Sequence, residues 1–93
     1  MSWVEIEDVG LGRVVVELQP TVLEVFTLTE TTRLHLRMLS IEPQGPDAQG
    51  HQRVTLRVPG GRGVTLTVPE HGWARLWPLL EQTRAQQYQF QQY

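Results

Sequence analysis

The stretch that decides the fold runs over residues 63–80 and reads Gly-Val-Thr-Leu-Thr-Val-Pro-Glu-His-Gly-Trp-Ala-Arg-Leu-Trp-Pro-Leu-Leu. Its first six residues alternate polar and apolar side chains, which is the period-two pattern of a half-buried strand. After Pro69 the period becomes 3.6. The apolar positions then share one helical face, formed by Trp73, Leu76, Trp77 and Leu80. The sequence therefore predicts a strand followed directly by a helix over residues 69–85, whose apolar face covers a sheet.

Three features mark the ends and the middle of this helix. Thr67 and Glu70 have the T-x-x-E spacing of a capping box, which predicts the helix start. Pro78 removes one backbone hydrogen bond, so we expect the helix to kink or split there. The Gln- and aromatic-rich tail, residues 86–93, is compatible with a longer helix, a strand or disorder.

The chain before residue 63 also reads mostly with period two. Residues 1–19 predict an N-terminal β-hairpin, and residues 22–68 predict a four-stranded sheet. The four strands are expected at 22–29, 33–41, 51–58 and 63–68. Residues 42–50 contain two prolines and two glycines, so this segment is predicted as a loop. The fold class is therefore expected to be α+β: an antiparallel sheet, made of the hairpin plus four strands, covered by a C-terminal helix.

Length and composition restrict the possible classes of protein. A chain of 93 residues is expected to form a single domain over 1–93. The absence of cysteine excludes disulfides and thiolate metal sites. The longest apolar run is three residues, so no transmembrane span is predicted. The absence of lysine and the weak positive field argue against a membrane partner. The first residues lack a basic and then apolar leader, so we expect an intracellular protein, either cytoplasmic or associated with a nucleoid or nucleus.

The charge distribution is uneven along the chain. The net charge is −2, which argues against an indiscriminate, strongly basic nucleic-acid binder. Residues 1–50 hold three arginines and eight acids, whereas residues 51–93 hold five arginines and two acids. Lysine is absent from the sequence. Arginine suits phosphates and bases because its planar guanidinium donates two parallel hydrogen bonds to one phosphate and stacks on rings. A GC-rich codon bias or adaptation to heat would also explain the preference for arginine.

Strand parity suggests where the cations gather. If residues 33–41, 51–58 and 63–68 are neighbours in one sheet, one face holds no acid and four arginines. That face consists of Arg33, His35, Arg37, His51, Arg53, Thr55, Arg57, Thr65 and Thr67. Like charges on a sheet face are destabilising, so the pattern indicates an anionic partner, with arginine and threonine donating to phosphates. The alternative is a solvated face that acids of the first half, Glu17, Glu24 and Glu30, reach over.

The residues from Pro59 to Trp73 carry a family resemblance. This glycine- and arginine-containing turn, short alternating strand and helix with an early acid and tryptophan resemble the end of the positive-cofactor-type transcriptional coactivators. The strand order also resembles the Pur repeat and the Whirly proteins. The resemblance implies a dimeric domain that binds single-stranded DNA or RNA on a curved sheet. It assigns binding roles to Arg62 in the turn and to Arg53 and Arg57 on the preceding strand, and a packing role to Trp73.

A second resemblance leads to a different function. A strand hairpin followed by a C-terminal helix with a buried tryptophan is similar to the end of pleckstrin-homology-like domains. That resemblance implies that the turn around Arg62 faces an anionic lipid head group or a partner protein. The Val-rich hairpin and the Gln/aromatic tail are also typical of a protein-interaction or assembly module. Both readings predict a homodimer, and they differ in whether nucleic acid or protein is the partner.

Catalytic and metal-binding patterns are weak. His35 and His51 share a predicted face, but no third ligand has a characteristic spacing. The glycines of residues 60–63 precede a strand and are not followed by lysine, unlike a phosphate-binding P-loop. Neither serine lies in a nucleophile elbow. We therefore expect a protein that is not an enzyme and has no cofactor and no bound metal.

Overall fold

Seven strands and one helix make up the protein in a computed structural model that describes residues 2–90. The elements are β1 (Ser2–Asp8), β2 (Gly12–Leu18), β3 (Val22–Phe26), β4 (Thr31–His35), β5 (Ser40–Pro46), β6 (Gln52–Arg57), β7 (Gly63–Val68) and α1 (Glu70–Phe90). All strand pairs are antiparallel. The α+β class and the C-terminal helix are confirmed.

The strands form two sheets rather than one. The four-stranded sheet has the order β1-β2-β3-β4, and the three-stranded sheet has the order β5-β6-β7. Of the predicted neighbours, 51–58 and 63–68 do pair, as β6 and β7, whereas the start of 33–41 belongs to β4 of the other sheet. This separation corrects the expectation of a single four-stranded sheet over residues 22–68.

The division occurs inside the predicted strand 33–41, which is two strands joined by a turn. The backbone N–H of Met38 donates to the carbonyl of His35 at 3.0 Å, and that of Leu39 donates to Leu36 at 3.4 Å. Leu36 and Leu39 are both buried although their positions differ in parity, and Met38 between them is 55% exposed. The change of face along this stretch therefore marks the crossing from one sheet to the other.

The predicted loop 42–50 is also corrected, because most of it belongs to β5. A β-bulge between Pro43 and Gly45 shifts the register with β6, and Gly45 has φ 77°. Two prolines are tolerated because β5 is an edge strand, whose outward side needs no ladder hydrogen bonds. Only residues 47–51 form the turn to β6.

The core lies between the sheets and under α1. The inward positions of the strands are buried largely as their alternation predicted, at Val14, Val16, Leu34, Val54, Leu56, Leu66 and Val68. From α1, the side chains that join this core are Leu76, Leu79 and Leu80. Trp73 and Trp77 are half-buried and stack on each other with ring centroids 5.1 Å apart. The helix thus covers the core as predicted, but leucines form its buried stripe and the tryptophans lie at its margin.

The helix starts later and ends later than predicted. Thr67 lies inside β7, so the predicted capping box is wrong and α1 begins at Glu70. Pro78 lies inside one helix and does not split it. Gln86 donates to the carbonyls of Gln19 and Pro20, at 2.8 and 2.9 Å. Gln87 donates to those of Leu36 and Leu39, at 2.9 and 2.7 Å.

These bonds give the Gln-rich tail a structural role. Its first residues extend α1 to Phe90 and attach the helix to the β2–β3 and β4–β5 turns. The last part of the predicted tail, residues 91–93, lies outside the described residues.

Candidate functional site

The nine predicted site residues fall on four separate parts of the molecule. Arg33 and His35 lie on β4, Arg37 lies in the following turn, and Arg62 lies in the β6–β7 turn. His51 directly precedes β6. The outer face of the three-stranded sheet carries the other four, Arg53, Thr55, Arg57 and Thr65. The single acid-free face is therefore wrong, because its members are divided between two sheets and their turns.

An acid also lies on the outer face of the three-stranded sheet. Glu42 of β5 is opposite Thr55, and its Oε2 is 2.9 Å from Nε of Arg57. The hydroxyl of Ser40 donates to the same oxygen at 2.7 Å. These hydrogen bonds, from Ser40 first and then from Arg57, hold the pKa of Glu42 below its usual value. Arg57 is therefore neutralised by a carboxylate that the sequence had assigned to a loop.

We expect the pKa of Glu42 to rise in both Ser40→Ala and Arg57→Gln. Each substitution removes a hydrogen bond that favours the charged carboxylate. Carboxyl carbon chemical shifts, followed by NMR as a function of pH, measure the effect. An unchanged pKa in Arg57→Gln would mean that the guanidinium does not pair with Glu42 and that the outer face is more cationic than described.

His51 is held inside its own turn. Its backbone N–H donates to Oδ1 of Asp47 at 2.9 Å, and its Nδ1 lies 3.5 Å from Oδ2 of the same carboxylate. The backbone N–H of His51 is the largest cause of the lowered pKa of Asp47. Such a carboxylate contributes stability above its ordinary pKa, and that stability is lost as the pH falls through the lowered value. His51 thus stabilises the β5–β6 turn and does not join His35 on one face.

Three of the remaining cations, Arg33, His35 and Arg62, meet at a cleft between the two sheets. The cleft, of about 520 Å³, is lined by Arg33, His35, Met38, Val58 and Arg62. Arg33 and His35 come from the edge strand β4 of the four-stranded sheet. Met38 comes from the β4–β5 turn, and the last two residues come from the β6–β7 turn. Three predicted site residues are therefore brought together, although by a route other than a shared sheet.

The local backbone explains how Arg62 reaches this cleft. The N–H of Val58 donates to the carbonyl of Arg62 at 2.9 Å, which closes the β6–β7 turn. Gly60 and Gly61 have φ values of 100° and 91°, a backbone region that residues other than glycine rarely adopt. The turn therefore depends on its glycines and presents the arginine that follows them.

The cleft combines positive charge with apolar surface. Arg33 lies 3.9 Å from Glu24, a long ion pair in which the arginine side chain is 62% exposed and that of the glutamate only 15%. Within residues 2–90, neither Arg62 nor His35 forms an ion pair. Met38 lies in the β4–β5 turn and is exposed, whereas Val58 lies in the β6–β7 turn and is half-buried against the core. The arrangement can bind an anionic group while covering an adjoining apolar group.

Neither a metal site nor a membrane-spanning helix is found in the part of the chain that the structure describes. In residues 2–90 no three histidine or acidic side chains gather closely enough to hold a metal ion. Among the same residues, no helix has the length and apolar character needed to cross a membrane. Comparisons of the chain with protein-family models, with curated proteins and with solved structures find no match.

Proposed function

We propose that this chain is a protein-interaction domain that binds an anionic segment of a partner at the cleft between its sheets. The observation that carries the proposal is the meeting of Arg33, His35 and Arg62, from two sheets, around the apolar side chains of Met38 and Val58. A guanidinium group can bind a carboxylate bidentately, through two parallel hydrogen bonds. Such bonds would give the cleft affinity for an acidic side chain and would fix the orientation of that side chain.

The architecture favours this function over binding along an arginine-rich sheet. The two-sheet body, the β6–β7 hairpin and the C-terminal helix support the pleckstrin-homology-like resemblance. In that resemblance the turn around Arg62 contacts an anionic head group or a protein. The coactivator, Pur and Whirly resemblance requires one continuous binding sheet, and here the cations are divided between two.

Charge around the cleft selects a narrow protein segment over a membrane surface. The outer face of the four-stranded sheet, on which Arg33 lies, holds more acids than cations: Glu5, Glu7, Glu17 and Glu24 against Arg33 and Arg13. A broad anionic surface would approach these carboxylates together with the cleft and would be repelled. An extended acidic segment contacts the cleft alone. The homodimer and the intracellular location stay predictions of the sequence.

We expect Arg62→Glu to weaken binding of an acidic peptide by about tenfold or more, because it replaces an attractive charge with a repulsive one. The probe is a fluorescent seven-residue peptide of alternating glutamate and valine, measured by anisotropy at low salt. A peptide with glutamine for glutamate controls for non-ionic binding. Arg75→Glu is the matched variant, since Arg75 is an exposed arginine on α1 outside the cleft, and we expect its affinity within twofold of the original.

Two results would contradict the proposal. One is the absence of any difference between the glutamate and glutamine peptides. The other is an equal loss of affinity in Arg62→Glu and Arg75→Glu, which would indicate a response to net charge rather than to the cleft.

Single-stranded nucleic acid is the second candidate partner, and one observation favours it. Arg53 forms no ion pair within residues 2–90 and shares the outer face of the three-stranded sheet with Thr55 and Thr65. A single-stranded oligonucleotide, titrated at two salt concentrations, tests this surface. Binding that is lost in Arg53→Glu and kept in Arg62→Glu would favour nucleic acid over the acidic segment.

A further inference from the structure

The backbone of β4 has one side without a strand partner. In the four-stranded sheet, β4 is outermost and pairs only with β3, in a register that places Leu34 opposite Leu23 and Arg33 opposite Glu24. This register continues past both ends of the pair. There, Leu36 N–H donates to Thr21 at 3.0 Å and Thr27 N–H donates to Glu30 at 2.9 Å.

The direction of each backbone group on β4 follows from this register. In an antiparallel ladder, pairs that exchange hydrogen bonds alternate with pairs that do not. Because the flanking pairs are bonded, the pair of Leu34 with Leu23 is also bonded and that of Arg33 with Glu24 is not. The N–H and C=O of Arg33 therefore point away from β3, as does the N–H of His35. The carbonyl of His35 also points outward and accepts from Met38 N–H at 3.0 Å.

The open edge of β4 and the cationic cleft coincide. Arg33 and His35, whose backbone groups face outward, also line the cleft. Natural edge strands are usually guarded by proline, a bulge, a charged side chain or short length. Edge strand β5 has both Pro43 and a bulge, whereas the five residues of β4, Thr-Thr-Arg-Leu-His, include one charged residue, Arg33, and neither a proline nor a bulge. The edge of β4 can therefore accept another strand.

The spacing of the cations specifies the chemistry of that strand. Arg33 and His35 are two residues apart, so their side chains leave the same face of β4 roughly 7 Å apart. Alternate residues of an added strand have the same spacing, which allows acidic side chains at those positions to face both. Arg62 provides a third cation across the cleft.

We infer that an extended acidic segment of a partner protein adds to the edge of β4 as a fifth strand of the four-stranded sheet. This inference rests on the proposed function and defines how the partner is bound. Main-chain hydrogen bonds to Arg33 and His35 supply affinity, and the three cations select acidic residues at alternate positions. A nucleic-acid strand has no amide backbone and would make none of the ladder hydrogen bonds.

N-methylated peptides test the strand directly. The probe is the seven-residue peptide Glu-Val-Glu-Val-Glu-Val-Glu, blocked at both ends, in three forms: unmodified, N-methylated at the internal glutamates, and N-methylated at the valines. In a strand, the amides of alternate residues point to opposite sides. We expect one methylated form to lose at least about tenfold in affinity, and the other to bind within about twofold of the unmodified peptide.

The methylated form that loses affinity also identifies the direction of the added strand. In antiparallel pairing the glutamate amides face β4, and in parallel pairing the valine amides face it. Hydrogen exchange of the Arg33 and His35 amides, measured by NMR, should slow in the complex, while that of Thr55 on β6 should not. Equal affinities of the two methylated forms, with dependence on Arg62 retained, would overturn strand addition and leave the proposed function standing. Absence of peptide binding in all forms would overturn both.

Discussion

Leu76→Ala is expected to lower the free energy of unfolding by about 2–5 kcal/mol, the range for truncating a buried leucine. Leu76 is fully buried and belongs to the core that α1 shares with the two sheets. The substitution removes apolar surface from the core and leaves a cavity. The helix cannot move inward to close it, because its other leucines and the hydrogen bonds of Gln86 and Gln87 fix its position. Domains of this size are stable by about 5–15 kcal/mol, so the loss is a large part of the total. Chemical denaturation followed by tryptophan fluorescence measures it.

Leu28→Ala is the matched control for this prediction. Leu28 lies in the β3–β4 turn and is 76% exposed, so the same chemical change should alter stability by no more than about 0.5 kcal/mol. Similar losses at both positions would mean that α1 does not pack on the sheets as described.

The alternation of side chains predicted most of the buried strand positions correctly, since it is a local property. Val14, Val54 and Leu66 each lie in a run with period two, and each is fully buried. The leucine face of α1 was predicted for the same reason, because the helical period shows within two turns of sequence. Periodicity does not show that Leu76 is fully buried while its neighbour Trp77 is only half-buried. That difference depends on how much of each side chain the sheets cover.

The pairing of β1 with β2 and of β6 with β7 was predicted, because a short turn joins each pair, but the division of the strands into two sheets was not, since it depends on contacts distant in sequence. The turn after His35 contains neither glycine nor proline, and one hydrogen bond at its start joins Leu36 to Thr21. Pro43 and Gly45 lie in a strand because the edge of a sheet tolerates them. A residue-by-residue interpretation therefore merged β4 with the start of β5 and assigned the rest of β5 to a loop.

Three cationic residues of the cleft were selected from the sequence, but the cleft itself was not predicted. Arg33 and His35 were placed on one sheet face with Arg57, and Arg62 was placed in the turn that follows. Met38 shares the parity of Leu34 and would be buried in one continuous strand, yet it is exposed in the β4–β5 turn. The only signal of its exposure was the loss of a consistent parity after Leu36, which marks a turn as well as it marks a bulge.

Asp8 was interpreted from the sequence only as part of a hairpin turn, yet its carboxylate connects the two sheets. It is 6% exposed, and its Oδ1 accepts the backbone N–H groups of Gly10 and Leu11, both at 2.8 Å. Its Oδ2 accepts the N–H of Thr67 on β7 at 2.7 Å. The N–H of Val9 in turn donates to the carbonyl of Thr67 at 2.8 Å. One carboxylate thus orders the β1–β2 turn and fastens it to the three-stranded sheet.

We expect Asp8→Asn to cost about 1.5–3 kcal/mol of stability, the range for hydrogen bonds to a charged group, although the side chain hardly changes in size. The amide oxygen can still accept from the β1–β2 turn, but the NH₂ group then faces the N–H of Thr67, so two donors meet where water has little access. Asp47→Asn is the matched control, measured by the same denaturant titration. Asp47 accepts the N–H groups of Gln49 and His51 with one oxygen, Oδ1, which an asparagine keeps. The loss of stability in Asp47→Asn should therefore be much smaller than in Asp8→Asn. Equal losses in the two variants would attribute the effect to the negative charge alone and would remove the Asp8–Thr67 bond as the connection between the sheets.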